Sequence, residues 1–222
     1  MLSFKGHRFE RQIILLVVKW YLSYPLSYRN LEEMMEDRGL RIDHSTINRW
    51  VLKFSNQIDA RVRRAKGPTT GRWKLDETYI RVGGKWMYLY RAVDNHGDTI
   101  DFFLAEKRDK GAALTFLEKA VKWNGTPEHV TIDKSGANKS ALDGFNKKHK
   151  TDIEICQSKY KNNLVEQDHR TIKRHVKIAL GYKNIKSAST TIAGIEAMHM
   201  LRKGQVSGLG STLAQTFWAL AA

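Results

Sequence analysis

The sequence predicts a mixed α/β domain preceded by a small all-α module. Three observations carry this. Apolar residues recur at helical spacing as far as residue 66, the period becomes two from residue 72, and beyond residue 105 helix-like and strand-like segments alternate. A chain of 222 residues with 41% hydrophobic content holds one full core and a small accessory one.

Residues 8–66 read as three helices. Ile13, Leu16, Val17 and Trp20 supply the apolar stripe of the first, which ends at the turn Ser23-Tyr24-Pro25. Ser27 caps the second, which carries Leu31, Met34 and Met35 and stops at Gly39. The third opens near Asp43 and buries Ile47, Trp50, Val51 and Phe54. Thr46, Asn48, Arg49 and Lys53 are left facing outward. Two short helices followed by one with polar, amide and basic residues in its opening turns predict a helix-turn-helix, whose last helix enters the major groove. A three-helix packing module without a DNA role is the plainer reading. A basic continuation with Arg61, Arg63 and Arg64 runs to a boundary at Gly67-Pro68.

The second part opens with a strand, Trp73 to Val82, a tight turn at Gly83-Gly84 and a returning strand, Lys85 to Val93. A second turn at 94–98 leads to a third strand, Thr99 to Ala105. A helix at about 109–123 follows, with Leu114, Leu117 and Val121 on one side, then a short strand, His129 to Asp133. A helix at 138–149, a strand at 153–157 and a basic helix at about 162–180 complete the order βββαβαβα. That order describes a mixed sheet flanked by helices, the ribonuclease H-like arrangement. Residues 187–203 read as helical, and from Gly204 to Ala222 there is no charged residue.

Lysine and arginine number 38 against 23 acidic residues, a formal charge of +15, which favours a polyanionic partner over a neutral one. The single cysteine, Cys156, excludes an internal disulfide and, alone, a zinc site. The apolar run Ile13 to Val18 is short and ends at Lys19, so it reads as a buried helix and not as a leader. No stretch reaches the roughly 20 apolar residues that span a bilayer. A soluble protein of a reducing cytoplasm is expected.

Three acids suit metal-assisted chemistry on phosphodiesters, in which two divalent ions flank the reacting phosphorus and take oxygen ligands from separate elements. Asp76 sits inside the first strand, in a half-apolar segment where an acid is costly unless something binds it. Asp133 closes the fourth strand, and strand ends in open α/β sheets are where ligands lie. Glu166 belongs to the basic helix. Each has a plainer reading: a solvated strand face, a cap for the next segment, and a surface pair with Arg170. Their joint placement outweighs the three taken singly. Glu77 points away from Asp76 on a regular strand, Asp94 and Asp98 serve a turn, and His169, three residues after Glu166, lacks the second Glu-x-x-His of a di-iron bundle.

The blocks Trp73-Lys74-Leu75-Asp76-Glu77-Thr78-Tyr79 and Val130-Thr131-Ile132-Asp133-Lys134 resemble the first two acidic blocks of a known family, and Tyr160 to Arg174, around Glu166, resembles the third. Leu180-Gly181-Tyr182-Lys183 and the run from Gly194 to Gln205 extend the likeness over nearly the whole chain. The chain resembles the DDE transposases of the bacterial insertion sequence six family. The resemblance implies that Asp76, Asp133 and Glu166 are catalytic and hold Mg²⁺, or Mn²⁺, as two ions. It implies cleavage and strand transfer at terminal inverted repeats. It also implies a basic residue about two turns beyond the glutamate, where Lys173 stands.

The domains expected are a helix-turn-helix module over 1–66, a catalytic domain over 67–186 and a helical segment over 187–222 that packs on the core or on a partner subunit. Double-stranded DNA, as terminal repeats and as target, is the expected partner of a homodimer or higher homo-oligomer, near the nucleoid and away from membranes. Asn48 and Arg49 are expected to read bases. Thr46 and Lys53 stand beside them, and Arg61, Arg63, Arg64, Arg170, Lys173 and Arg174 are expected at phosphates. Two alternatives stay open: a non-catalytic DNA-binding regulator derived from a transposase, and a related metal-dependent integrase or nuclease.

Overall fold

The structure, a computed structural model, describes residues 2–158, 163–179 and 181–221. The chain forms two compact units, one of residues 1–67 with 174–222 and one of residues 68–173. This division differs from the expected one. Residues 174–222 belong with the first helices, whereas the sequence placed the border at 186 and packed the last segment on the catalytic core or on a second subunit.

The first unit contains α1 (Arg11–Ser23), α2 (Tyr28–Glu36), α3 (His44–Ala65), α7 (Ile185–Arg202) and α8 (Leu213–Ala221). Ser27 and Asn30 form a reciprocal capping box at the start of α2, and Asp43 accepts from the Ser45 amide at the start of α3. The buried stripe of α3 is Ile47, Trp50, Val51, Phe54, Ile58 and Val62, as its spacing dictates. In α1 the stripe lies one position on from the expected one: Ile14, Val17, Val18 and Tyr21 are buried, while Ile13, Leu16 and Trp20 are half-buried. α7 explains the shift, because a second apolar partner pulls α1 round to meet it. From Thr191 to Leu201 every residue of α7 is buried, so the helix is enclosed on all sides.

The second unit is a five-stranded sheet of order β3-β2-β1-β4-β5. Its strands are β1 (Arg72–Val82), β2 (Lys85–Asp94), β3 (Thr99–Ala105), β4 (His129–Ile132) and β5 (Glu154–Gln157). The first three run antiparallel and β4 and β5 join parallel to β1, which is the ribonuclease H-like topology. Gly83 and Gly84 both take positive φ, 56° and 78°, which the tight connection between β1 and β2 demands. Two helices, α4 (Lys110–Asn124) and α5 (Gly136–His149), enclose one core with the sheet, built on Trp73, Leu75, Tyr90, Phe116, Leu142 and Phe145. α4 turns Phe116, Leu117 and Ala120 inward and leaves Leu114 and Val121 at the margin of that core, a rotation from the expected stripe. α6 (Asn163–Ile178) opens in this unit, and the division between units falls between Lys173 and Arg174.

Candidate active site

Alternation along β1 sets Asp76, Thr78, Ile80 and Val82 on one face and Trp73, Leu75, Glu77 and Tyr79 on the other. Asp76 is the register partner of Arg91 on β2, so the two side chains stand side by side. α6 meets both. The Asp168 carboxylate lies 2.6 Å from the Arg91 guanidinium, and His169 Nε2 lies 3.1 Å from Asp76 Oδ2. Arg91 is 1% exposed and His169 4%, so these polar groups stay buried only because they are paired. Nδ1 of His169 is buried with no hydrogen-bond partner, so Nε2 carries the hydrogen that Asp76 accepts.

This double link sets the start of α6 over Asp76. Glu166, three residues before His169, is exposed and lines a cleft of about 610 Å³ with Asp76, Thr78, Gln167, Arg170 and Lys173. Glu166, Arg170 and Lys173 are spaced by four and three residues and share that face, as their helical positions require.

Asp133 enters from β4. The last register pair between β1 and β4 is Lys74 with Thr131, and two residues further on each strand stand Asp76 and Asp133. Adjacent strands run about 4.8 Å apart, so the two acids issue from neighbouring positions at the carboxyl end of β4. Asp133 Oδ1 accepts from the Ser135 amide at 2.9 Å, the capping reading of the sequence, while Oδ2 lies 3.6 Å from Arg108. Arg108 also pairs with Glu77, which accepts from Asn138 at 2.9 Å. Burial pushes the Glu77 carboxyl up, against the pull of Asn138 and Arg108. Glu77 lies across the sheet from Asp76, as its strand position predicts, yet it anchors the arginine beside Asp133. The sequence reading assigned no such role to Glu77, and it missed Arg91, Arg108 and His169. A cation inside the apolar run of β2 was the one local signal, for Arg91.

The three acids do not form a tight cluster. Among the described residues, the His, Asp and Glu side chains whose ligand atoms all lie within 4.8 Å of one another are Glu32, Asp43 and His44, where Asp43 already caps α3.

In the helical unit the expected DNA contacts divide. Arg49 and Lys53 are exposed; Arg49 donates to Thr46 Oγ1 at 2.8 Å, and Lys53 lies 2.7 Å from His7 Nε2. Arg64 and Arg174 are exposed. Asn48 is half-buried and hydrogen-bonded to Tyr28. Arg61 donates to the Leu220 carbonyl, and Arg63 is paired with Asp59 at 2.8 Å with 12% of its side chain exposed. Arg61 and Arg63, expected as phosphate contacts, are both half-buried: Arg61 ties α3 to α8, and Arg63 pairs one turn back within α3.

Comparison with known proteins supplies the family. The family model described as a DDE domain matches residues 70–205. The transposase for the insertion sequence-like element IS431mec of Staphylococcus aureus is 37% identical over 202 residues, covering 90% of this chain and 88% of that protein. The chain belongs to the DDE transposases of the insertion sequence six family. The Staphylococcus aureus transposase for the insertion sequence element IS257 in transposon Tn4003 is likewise 37% identical over 90% of this chain. Among solved structures, the catalytic core domain of HTLV-2 integrase in complex with magnesium is similar at 18% identity and a TM-score of 0.47, covering 68% of this chain and 98% of that one. The matched span of 70–205 includes β1, β4 and α6; Tyr160 to Asn162, at the start of the third block, lie outside the described residues.

Proposed function

We propose that Asp76, Asp133 and Glu166 are the catalytic acids of a DNA cleavage and strand-transfer reaction at the terminal inverted repeats of an insertion sequence. The observation that carries this reading is the cleft shared by Asp76 and Glu166, floored by β1 and edged by Arg170 and Lys173. The donor set fits a hard divalent cation: three carboxylates from separate elements. These acids would hold Mg²⁺ or Mn²⁺, as two ions, which when bound activate the attacking oxygen and stabilise the leaving one. His169 keeps the Asp76 carboxylate turned one way, and Arg108 does the same for Asp133. Arg170 and Lys173 supply positive charge to the phosphates beside the scissile bond. Arg49, Lys53 and Arg64 offer the exposed cations of the helix-turn-helix to duplex ends, with Thr46 and Asn48 near the same groove-facing turns and Arg174 within α6. The protein acts in the bacterial cytoplasm on double-stranded DNA, as a homodimer or higher homo-oligomer.

Asp76→Asn, Asp133→Asn and Glu166→Gln are each expected to abolish joined and cleaved products on repeat ends, while end binding persists. Wild-type activity is expected to vanish with chelator. Normal turnover in any one variant removes that residue from the site, and cut products that are never joined make the protein a nuclease instead.

A further inference from the structure

The face of β1 and β2 that carries Trp73, Leu75, Tyr90 and Ala92 is roofed by α4 and α5. It does not end there. Beyond Glu77 and its register partner Tyr90, the same face continues through Tyr79, Arg81, Trp86 and Tyr88, with Tyr79 opposite Tyr88 and Arg81 opposite Trp86. Here it is bare. Tyr79 is 52% exposed and Trp86 65%, and Arg81 is exposed, while on the reverse face Ile80, Val82, Met87 and Leu89 are all buried. The hairpin is therefore held firmly from behind and presents aromatic rings in front. Tyr88 is rooted against the core, and its ring centroid lies 5.2 Å from that of Tyr79 at 54°.

Exposed aromatics on a rigid strand call for a partner. Its chemistry is set by what surrounds them. Arg81 lies within the patch, and Tyr79 is within electrostatic reach of Arg108, the arginine that contacts Glu77 and Asp133. Rings interleaved with arginine suit a strand whose bases stack and whose phosphates are neutralised. A second copy of this chain, also at +15 and bringing its own Arg81, would meet like charge across the patch.

We propose that the Tyr79, Tyr88 and Trp86 face binds unpaired nucleotides of the DNA on which the protein acts. The reading rests on the action on DNA proposed above. A duplex hides its base faces in the stack, so the patch discriminates in favour of single-stranded or frayed DNA.

The test uses the full chain with chelator present, so that binding is read without catalysis and a failed active-site assignment does not change the outcome. A single-stranded oligonucleotide carrying a fluorescent purine analogue is compared with its blunt duplex. Wild type is expected to quench the single-strand probe. Trp86→Ala is expected to weaken single-strand binding by about tenfold and duplex binding by less than about twofold, and Trp86→Phe to retain most of the affinity. Unchanged thermal midpoints in both variants are expected, since Trp86 is exposed. Equal losses on both DNAs, or none on either, overturn the proposal. So does sedimentation showing that wild type self-associates and Trp86→Ala does not, which assigns the face to a second copy.

Discussion

His169 is the residue whose role the sequence alone concealed. A histidine three residues after an acid suggests a metal ligand or a solvated helix face; in the structure it is buried and spends its one committed hydrogen bond on Asp76. A carboxylate that must present a particular oxygen to a cation benefits from such a fixed partner, and removing partners of this kind costs about 10 to 100-fold in metal affinity or activity. His169→Ala is therefore expected to raise the Mn²⁺ concentration needed for strand transfer by about that factor while DNA-end binding stays unchanged. His169→Gln, which keeps an N–H near the Nε2 position, is expected to recover part of the loss. Manganese binding measured by electron paramagnetic resonance separates this role from a merely structural one. Equal manganese affinity in wild type and His169→Ala sinks it.

At the scale of elements, α7 shows how a helix with no clear stripe is read. Its sequence, Ile185 to Arg202, mixes apolar residues with Thr191, Glu196 and His199, so it shows a helix but neither its burial nor its partner. The partner is set by close approach. A Cβ added at Gly194 would stand 2.6 Å from Ser55 Oγ on α3 and 2.8 Å from the Leu22 methyl carbons on α1. Ser55 Oγ is held by its bond to the Val51 carbonyl at 2.6 Å, so it does not move aside freely. Overpacking a core costs about 1–3 kcal/mol, and replacing a helical glycine by alanine returns about 1 kcal/mol of propensity. Gly194→Ala is thus expected to destabilise by up to about 2 kcal/mol in urea unfolding, and Ser55→Ala in the same chain to restore part of it. A stability gain in Gly194→Ala means that the three helices are looser than this contact requires. The elements themselves were legible from the sequence. The β1 to β5 order, the turn at Gly83-Gly84 and the caps Ser27 and Asp43 follow from local periodicity and turn chemistry, while the rotation of α1 and α4 about their axes does not, because it depends on what each helix meets.

At the scale of the whole molecule, the helical unit is discontinuous, drawing on residues 1–67 and 174–222. A fragment ending at residue 66 lacks α7 and so exposes the faces of α1 and α3 that Leu22 and Ser55 mark. Such a fragment is expected to lose cooperative thermal unfolding by circular dichroism and to bind a hydrophobic dye. Fusing residues 174–222 to it through a flexible linker is expected to restore a sharp transition. A cooperative melt from residues 1–66 alone refutes this dependence.

The sequence by itself determined the kinds and order of the elements, the basic charge and the family, because each is written in contiguous blocks or in a period of two or 3.6 residues. Only the tertiary structure decided the rest. Asp76 meets His169 across 93 positions, Arg91 meets Asp168 across 77, and Arg61 meets Leu220 across 159. Such pairings leave no local trace, since a side chain's partner is chosen by how strands register and helices rotate. That is why the partners of Arg61 and Arg91 could not be read beforehand, and why the terminal helices joined the opening ones.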